Sequence, residues 1–178
     1  MAKKILIVTD DAGESYEILY ARHRLLEAGY QPLIAATQRK LLNGVIHDFY
    51  PGWNTYIEKP GYLIQADLAI AQVKAAQYEA LLLIGGRAPE FLRHNEKLLK
   101  IVQEFHRKGK WLFAICHGIQ VLLAAGVCRG RRLTCYENVR PPSAAEPGST
   151  NRASWTERSL PRKRGKVIPS FTGTFSNI

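Results

Sequence analysis

The chain has 178 residues, of which 46% are apolar, and carries a formal net charge of +10. That is enough for one domain with a buried core, and no run approaches the ~18 consecutive apolar residues of a membrane-spanning helix. Three cysteines form neither a paired disulfide set nor a metal-ligand spacing, which fits a reducing, cytoplasmic setting.

The charge suggests nucleic acid until its distribution is considered. Residues 1–136 hold 18 Lys/Arg against 12 Asp/Glu, and residues 137–178 hold 7 against 3. In the first part the basic residues are scattered along amphipathic helices, as on a solvated face. Arg129-Gly130-Arg131-Arg132 and Arg162-Lys163-Arg164 are clusters, but no aromatic platform or recognition motif accompanies them. A nucleic-acid partner is therefore not expected.

Met1-Ala2-Lys3-Lys4 leads straight into a buried strand over 4–9, without the features of a signal peptide. A helix over 15–28 follows, with Tyr16, Ile18, Leu19, Leu25 and Leu26 as its apolar positions and Gly29 closing it. The next strand covers 31–36. Residues 43–64 are rich in aromatics, Gly and Pro, which predicts an excursion containing a hairpin. Asp67 is expected to cap a short turn before a strand at 80–84. Helical periodicity runs from Glu90 to Lys108, then a strand over 110–115 and a helix over 117–125 ending at Gly126. Strands and helices that alternate in this way predict an α/β fold: a doubly wound, mostly parallel sheet with helices on both faces. Ligands of such sheets bind beyond the carboxyl ends of the strands. Thr9-Asp10, Gly85-Gly86 and Cys116 all fall there.

Ala114-Ile115-Cys116-His117-Gly118 places a cysteine on the turn between a buried strand and a helix. Such a nucleophile elbow lifts the side chain clear of the sheet and turns helix N-terminal amides toward its target. The same N-terminus favours the thiolate. Cys128 and Cys135 have no such context and read as structural. His23, His47, His94 and His106 read as surface or structural residues, with no spacing that suggests a metal.

These segments resemble the ThiJ/PfpI family, within the class I glutamine amidotransferase-like superfamily, whose fold is flavodoxin-like. The resemblance rests on Ile84 to Glu90 (IGGRAPE) with Asn95 to Leu99 (NEKLL), and on Ala114 to Tyr136. His47 to Tyr62 (HDFYPGWNTYIEKPGY) resembles an insertion of one branch with glyoxalase-like members. It covers about residues 3–140. By that resemblance Cys116 is the nucleophile and His117 its neighbour in catalysis. Glu14 matches the acid that hydrogen-bonds the cysteine sulfur. Glu90 matches the acid that completes a Cys-His-Glu triad from a neighbouring subunit. Backbone amides near Gly86 and His117 form the oxyanion hole. Glu90 can alternatively cap the helix after Pro89, and Glu14 can serve only the dipole of the first helix.

After Tyr136 the pattern breaks. Residues 141–178 are Pro/Ser-rich and then basic, and composition alone reads them as an irregular tail beyond a domain at 1–140. Codons can be chosen for Arg164 to Pro169 whose shifted frame reads Trp-Gln-Ser-Tyr-Pro, similar to a late segment of the family. The tail is accordingly read as a candidate frame-shifted C-terminal region. A chain lacking the family's last helix is expected to be less stable.

The resemblance implies a cysteine enzyme of the hydrolase type, attacking a peptide or amide carbonyl. One alternative is a glyoxalase III or deglycase-like conversion of 2-oxoaldehydes to 2-hydroxy acids. Neither reaction requires a cofactor or metal. A third reading keeps the thiol as a non-enzymatic oxidative-stress sensor. A homo-oligomer is expected and a membrane partner is not.

Overall fold

The computed structural model describes residues 2–129, 139 and 167–169. Its elements in chain order are β1 (Lys4–Val8), α1 (Ser15–Glu27), β2 (Gln31–Ala36), β3 (Leu41–Asp48), β4 (Ile57–Gln65), β5 (Leu68–Ala69), β6 (Ala80–Leu83), α2 (Ala88–Leu92), α3 (Glu96–Arg107), β7 (Trp111–Ala114), α4 (Ile119–Ala124) and β8 (Val167–Pro169). The main sheet has the order β5-β2-β1-β6-β7-β8, and every pairing in it is parallel. This is the predicted mostly parallel sheet, flanked by helices.

A strand buried on both faces reads as continuous hydrophobic sequence, and its alternate residues feed two separate cores. β1 does this. Ile5 and Ile7 pack with Ile18, Ala21 and Leu25 of α1, whereas Leu6 and Val8 pack with Leu98, Ile101, Val102 and Phe105 of α3. The second core also takes Ile119, Val121 and Leu122 of α4. With β1 central in the order, its carboxyl end stands beside that of β6, and β7 follows.

The excursion is a hairpin, β3 with β4, whose antiparallel ladder slips between Asn43 and Val45. Leu42 and Ile64 turn into the α1-side core, and the pair forms a two-stranded sheet of its own.

Several expectations require correction. The Glu90–Lys108 periodicity covers two helices, because the Asn95 side chain accepts the Leu98 N–H and starts α3 anew. Tyr16 and Leu26 are exposed, and Ala21 takes the buried position between Ile18 and Leu25. Asp67 caps no turn. Its Oδ2 accepts the Ile34 N–H at 2.7 Å while its own N–H donates to Ile34 O at 2.8 Å, so it extends the edge of β2. Within the tail, Val167 to Pro169 pair in parallel with Leu112 to Ala114 as a sixth strand. The rest of 141–178, with its frame-shift reading and the stability expectation drawn from it, lies outside the described residues, as does Cys135. Cys128 is buried in the α3-side core.

Replacing an Asn cap by Ala typically costs about 1 kcal/mol. Asn95→Ala is therefore expected to lower unfolding free energy by about that amount in denaturant titrations. It should leave the chemistry of Cys116 unchanged, because the cap lies at the opposite end of α2 from the elbow.

Candidate active site

Cys116 follows Ala114, the last residue of β7, by two positions and opens a single three-ten turn, Cys116–Gly118, which runs into α4. Its φ of +51° is one of only two positive values at non-glycine residues among those described. A side chain in that region costs on the order of 1–3 kcal/mol and persists where the surroundings impose it. Here they do. A Cβ on Gly118 would lie 2.5 Å from Leu83 O, and one on Gly85 would lie 2.5 Å from Cys116 Cβ. Only glycines let the elbow settle onto the end of β6.

The loop after β6 is equally tight. Gly86 has φ +76°, and a Cβ there would lie 2.3 Å from Ala12 O. The Arg87 N–H donates to Ala12 O at 2.8 Å, and Gly13 bridges Gly86, so the β1–α1 and β6–α2 loops are stitched together. Asp10 belongs to this framework. Its Oδ2 accepts from Thr37 N at 2.7 Å and from Thr37 Oγ1 at 2.6 Å.

The backbone N–H groups of His117 and Gly86 lie near enough to the Cys116 sulfur to favour its thiolate. They are the two amides that the sequence resemblance assigns to an oxyanion hole. His117 is buried, and its Nδ1 lies 3.2 Å from Cys116 Sγ.

The carboxyl group on the sulfur is that of Glu17, not Glu14. Glu17 pairs with Cys116 and accepts the Gly85 N–H at 2.7 Å. Glu14, the residue expected there, is buried as the N-cap of α1, and its Oε2 accepts the Glu17 N–H at 2.7 Å. It acts on the thiol and on Glu17 through its charge. The Glu14-x-x-Glu17 spacing, that of a reciprocal N-terminal cap, was the signal that could have separated these roles. Glu90 sits exposed in the first turn of α2, and its charge favours protonation of His117.

Burial pushes Glu17 up to about 7, a tendency the Gly85 N–H opposes and the nearby Glu14 charge reinforces. Burial and then the Glu17 charge push Cys116 up to about 11, against the pull of the His117 and Gly86 amides. The two groups titrate as a pair. A neutral Glu17 removes the repulsion and offers its O–H to sulfur, so the thiolate is favoured when the carboxyl holds the shared proton. Burial also lowers His117, which leaves its imidazole neutral near pH 7 and able to accept a proton.

Above the sulfur lies a cleft of about 420 Å³ lined by Glu14, Tyr16, Glu17, Ile46, His47, Asp48, Phe49, Tyr56 and Cys116. The hairpin is thus its far wall. His47 stacks on Tyr56 (ring centroids 3.9 Å apart), and Tyr56 presents its edge to His117 at 5.9 Å. Sequence reasoning had placed His47 among surface or structural histidines.

An α/β domain whose parallel sheet is flanked by helices and carries a cysteine at a strand–turn–helix elbow, with a carboxyl beside it, is of the flavodoxin-like class. Within that class, the chain belongs to the DJ-1/PfpI family, whose profile matches residues 3–171. That match runs past residue 140, beyond the residues 3–140 that carry the resemblance by motif. The chain is 39% identical over 137 residues to a protein named a deglycase from Pyrococcus abyssi, covering 77% of this chain and 74% of that one. It is 39% identical over 141 residues to Protein DJ-1 homolog D of Arabidopsis thaliana, covering 78% of this chain and 36% of that one. Among solved structures, a ThiJ/PfpI domain protein from Brachyspira murdochii superposes with a TM-score of 0.71 at 18% identity, over 95% of this chain and 87% of that one, a likeness of fold.

A carboxyl whose folded-state value is raised binds its proton more tightly in the native state, so stability falls as pH rises from its unfolded value near 4.5 toward about 7. Glu17→Gln removes that dependence. Its melting temperature should exceed the wild type's at pH 8 by a margin that closes toward pH 5. Iodoacetamide labelling of Cys116 should reach half-maximal rate at lower pH in the variant. Parallel pH profiles for the two proteins would show that Glu17 does not share the thiol's proton.

Proposed function

We propose that the protein is a cofactor-independent thiol enzyme that converts 2-oxoaldehydes, free or as their adducts, to 2-hydroxy acids. The observation that carries this reading is the Cys116–Glu17 pair beneath a small-molecule cleft. A nucleophile, a carboxyl that titrates near neutrality and a neutral imidazole meet there. That a relative at 39% identity is named a deglycase agrees with it.

In this reading the Cys116 thiolate attacks the aldehyde carbon, and the carbonyl π pair moves to oxygen. The His117 and Gly86 amides, released from the sulfur as its charge moves, are placed to receive that oxyanion. Neutral Glu17 gives it a proton, which yields a hemithioacetal. His117 takes the hydrogen on that carbon as a proton, and the bonding pair becomes the double bond of an enediol. Return of a proton to the neighbouring carbon gives a 2-hydroxyacyl thioester. Water then releases the acid and the thiol. Overall, one aldehyde and one water become one hydroxy acid, with no external oxidant.

A second reading, hydrolysis of a peptide or amide, is favoured by the approach of His117 Nδ1 to the sulfur, with the Glu90 charge acting on that imidazole. A second copy supplying Glu90 across an interface would complete a Cys-His-Glu triad. The aromatic-walled cleft suits a small carbonyl compound better than an extended peptide.

Methylglyoxal turnover decides between these. Wild-type chain is expected to produce lactate, and Cys116→Ser to fall to the buffer rate while keeping its melting temperature. Equal lactate production by wild type and Cys116→Ser would remove the thiol from the reaction. Cleavage of a peptide amide with no lactate formed would favour the second reading.

A further inference from the structure

His47 is the feature of the hairpin that its packing leaves unexplained. It lies on β3 directly opposite Glu58 on β4, in a ribbon whose tip carries the exposed Phe49 and Trp53. Yet its side chain is only 6% exposed, covered by Tyr56 on one face and forming part of the wall of the cleft above Cys116. A phenyl ring would serve that stack as well. The polar edge is nevertheless fixed by two further residues. His47 Nε2 lies 3.0 Å from Glu58 Oε2. Arg87, from the loop that carries Gly86, donates to both oxygens of the same carboxylate, Nε to Oε2 at 2.8 Å and one terminal nitrogen to Oε1 at 2.7 Å.

An imidazole oriented by a carboxylate that is itself anchored is the arrangement by which an acid–base histidine is held in one tautomer. The Glu58 carboxylate, held below its ordinary range by the Arg87 guanidinium, is an acceptor throughout the neutral range, so Nε2 carries hydrogen. Nδ1 has no hydrogen-bond partner among the described residues and is the nitrogen left for a ligand.

Resting on the 2-oxoaldehyde reading above, we infer that His47 is a second acid–base residue of this cleft, serving the carbonyl that the thiol does not attack. As His117 removes the proton from the hemithioacetal carbon, the C–H pair forms the carbon–carbon double bond. The π pair of the adjacent ketone then moves to its oxygen. His47, as imidazolium, transfers its Nδ1 proton to that oxygen, and neutral imidazole remains. The enediol is thereby formed without a free enolate anion, and His47 regains a proton from solvent before the next turnover. The charged and titratable groups around this ring are Glu58 and Arg87 behind it, Tyr56 stacked on it, Asp48 beside it, and Glu14, Tyr16, Glu17, Cys116 and His117 across the cleft. Glu58 and Arg87 are positioning residues in this scheme, since they act through the imidazole.

The test uses the full chain with methylglyoxal as probe, comparing wild type, His47→Phe and His47→Gln. His47→Phe keeps the stack on Tyr56, and His47→Gln keeps a donor for Glu58, so one of them reports even if the other folds poorly. For each, kcat and KM are measured across the titration range of imidazole, beside the iodoacetamide labelling rate of Cys116. General acid–base catalysis is typically worth 10²–10⁴-fold. We expect kcat to fall by roughly 10²-fold, KM to hold, and thiol labelling to stay at the wild-type rate. Wild-type kcat and pH profile in either folded variant would overturn the role of His47 alone. A labelling rate that falls in step with kcat would also overturn it, because His47 would then act only by shaping the elbow. A wild-type chain that forms no lactate would overturn the 2-oxoaldehyde reading and this inference together.

Discussion

The site depends on how closely three strand ends are allowed to approach. Gly85 lies where its missing Cβ would meet the Cys116 side chain, and Gly86 where it would meet the backbone of Ala12 and Glu14. Because nothing projects into that space, the loops after β1, β6 and β7 share a few ångströms. Amides and thiol are brought together by backbone contact, and the Gly85 N–H holds the Glu17 carboxyl beside them. A parallel sheet makes the meeting possible by ending its strands at one edge. The glycines decide how tight it is. The strain at Cys116, φ +51°, is held by the same contacts.

That closeness sets the electrostatics. Sulfur and the Glu17 carboxyl lie in a region where water screens poorly, so neither ionises without regard to the other. Two amides on the sulfur offset part of this cost. The result is a thiol whose charge is conditional on where one proton resides. Such a site differs from a permanently ionised cysteine, which would react with any electrophile able to enter.

Much of this was legible in the chain. The elbow showed itself because a buried run, a cysteine and a Gly-bounded helix occur in sequence, and each is a local signal. The parallel sheet followed from alternation. Glu17 was missed because two glutamates one helical turn apart differ only in which carboxyl the helix terminus consumes, a matter of side-chain rotamer. The break at Asn95 was hidden for a related reason. Apolar spacing continues across it, while the cap that interrupts it is a single side chain. Val167 to Pro169 escaped notice because three residues supply no period, and their pairing is set by an exposed β7 edge far away in sequence. The hairpin was visible from its Gly and Pro content. That its His47 turns toward the sulfur was not, since β3 and β4 only acquire an inside when they are laid against α1.

The way the hairpin is attached has a consequence for how this fold diversifies. It is fastened through a few points near its base: Val45 N–H to Gly13 O at 2.9 Å, Tyr62 N–H to Ser15 Oγ at 3.0 Å, and Ala12 N–H to Asn43 O at 2.8 Å. Beyond the Arg87–Glu58 fork, the residues between Ile46 and Tyr56 are outside the parallel sheet and take no part in its ladder. Insertions, deletions and substitutions at that tip therefore change the ceiling over the sulfur while the strands that hold the sulfur stay as they are. The sulfur and the glycines that seat it come from one set of chain segments and the ceiling of the cleft, His47 included, from another, so the hairpin can be exchanged over a fixed thiol.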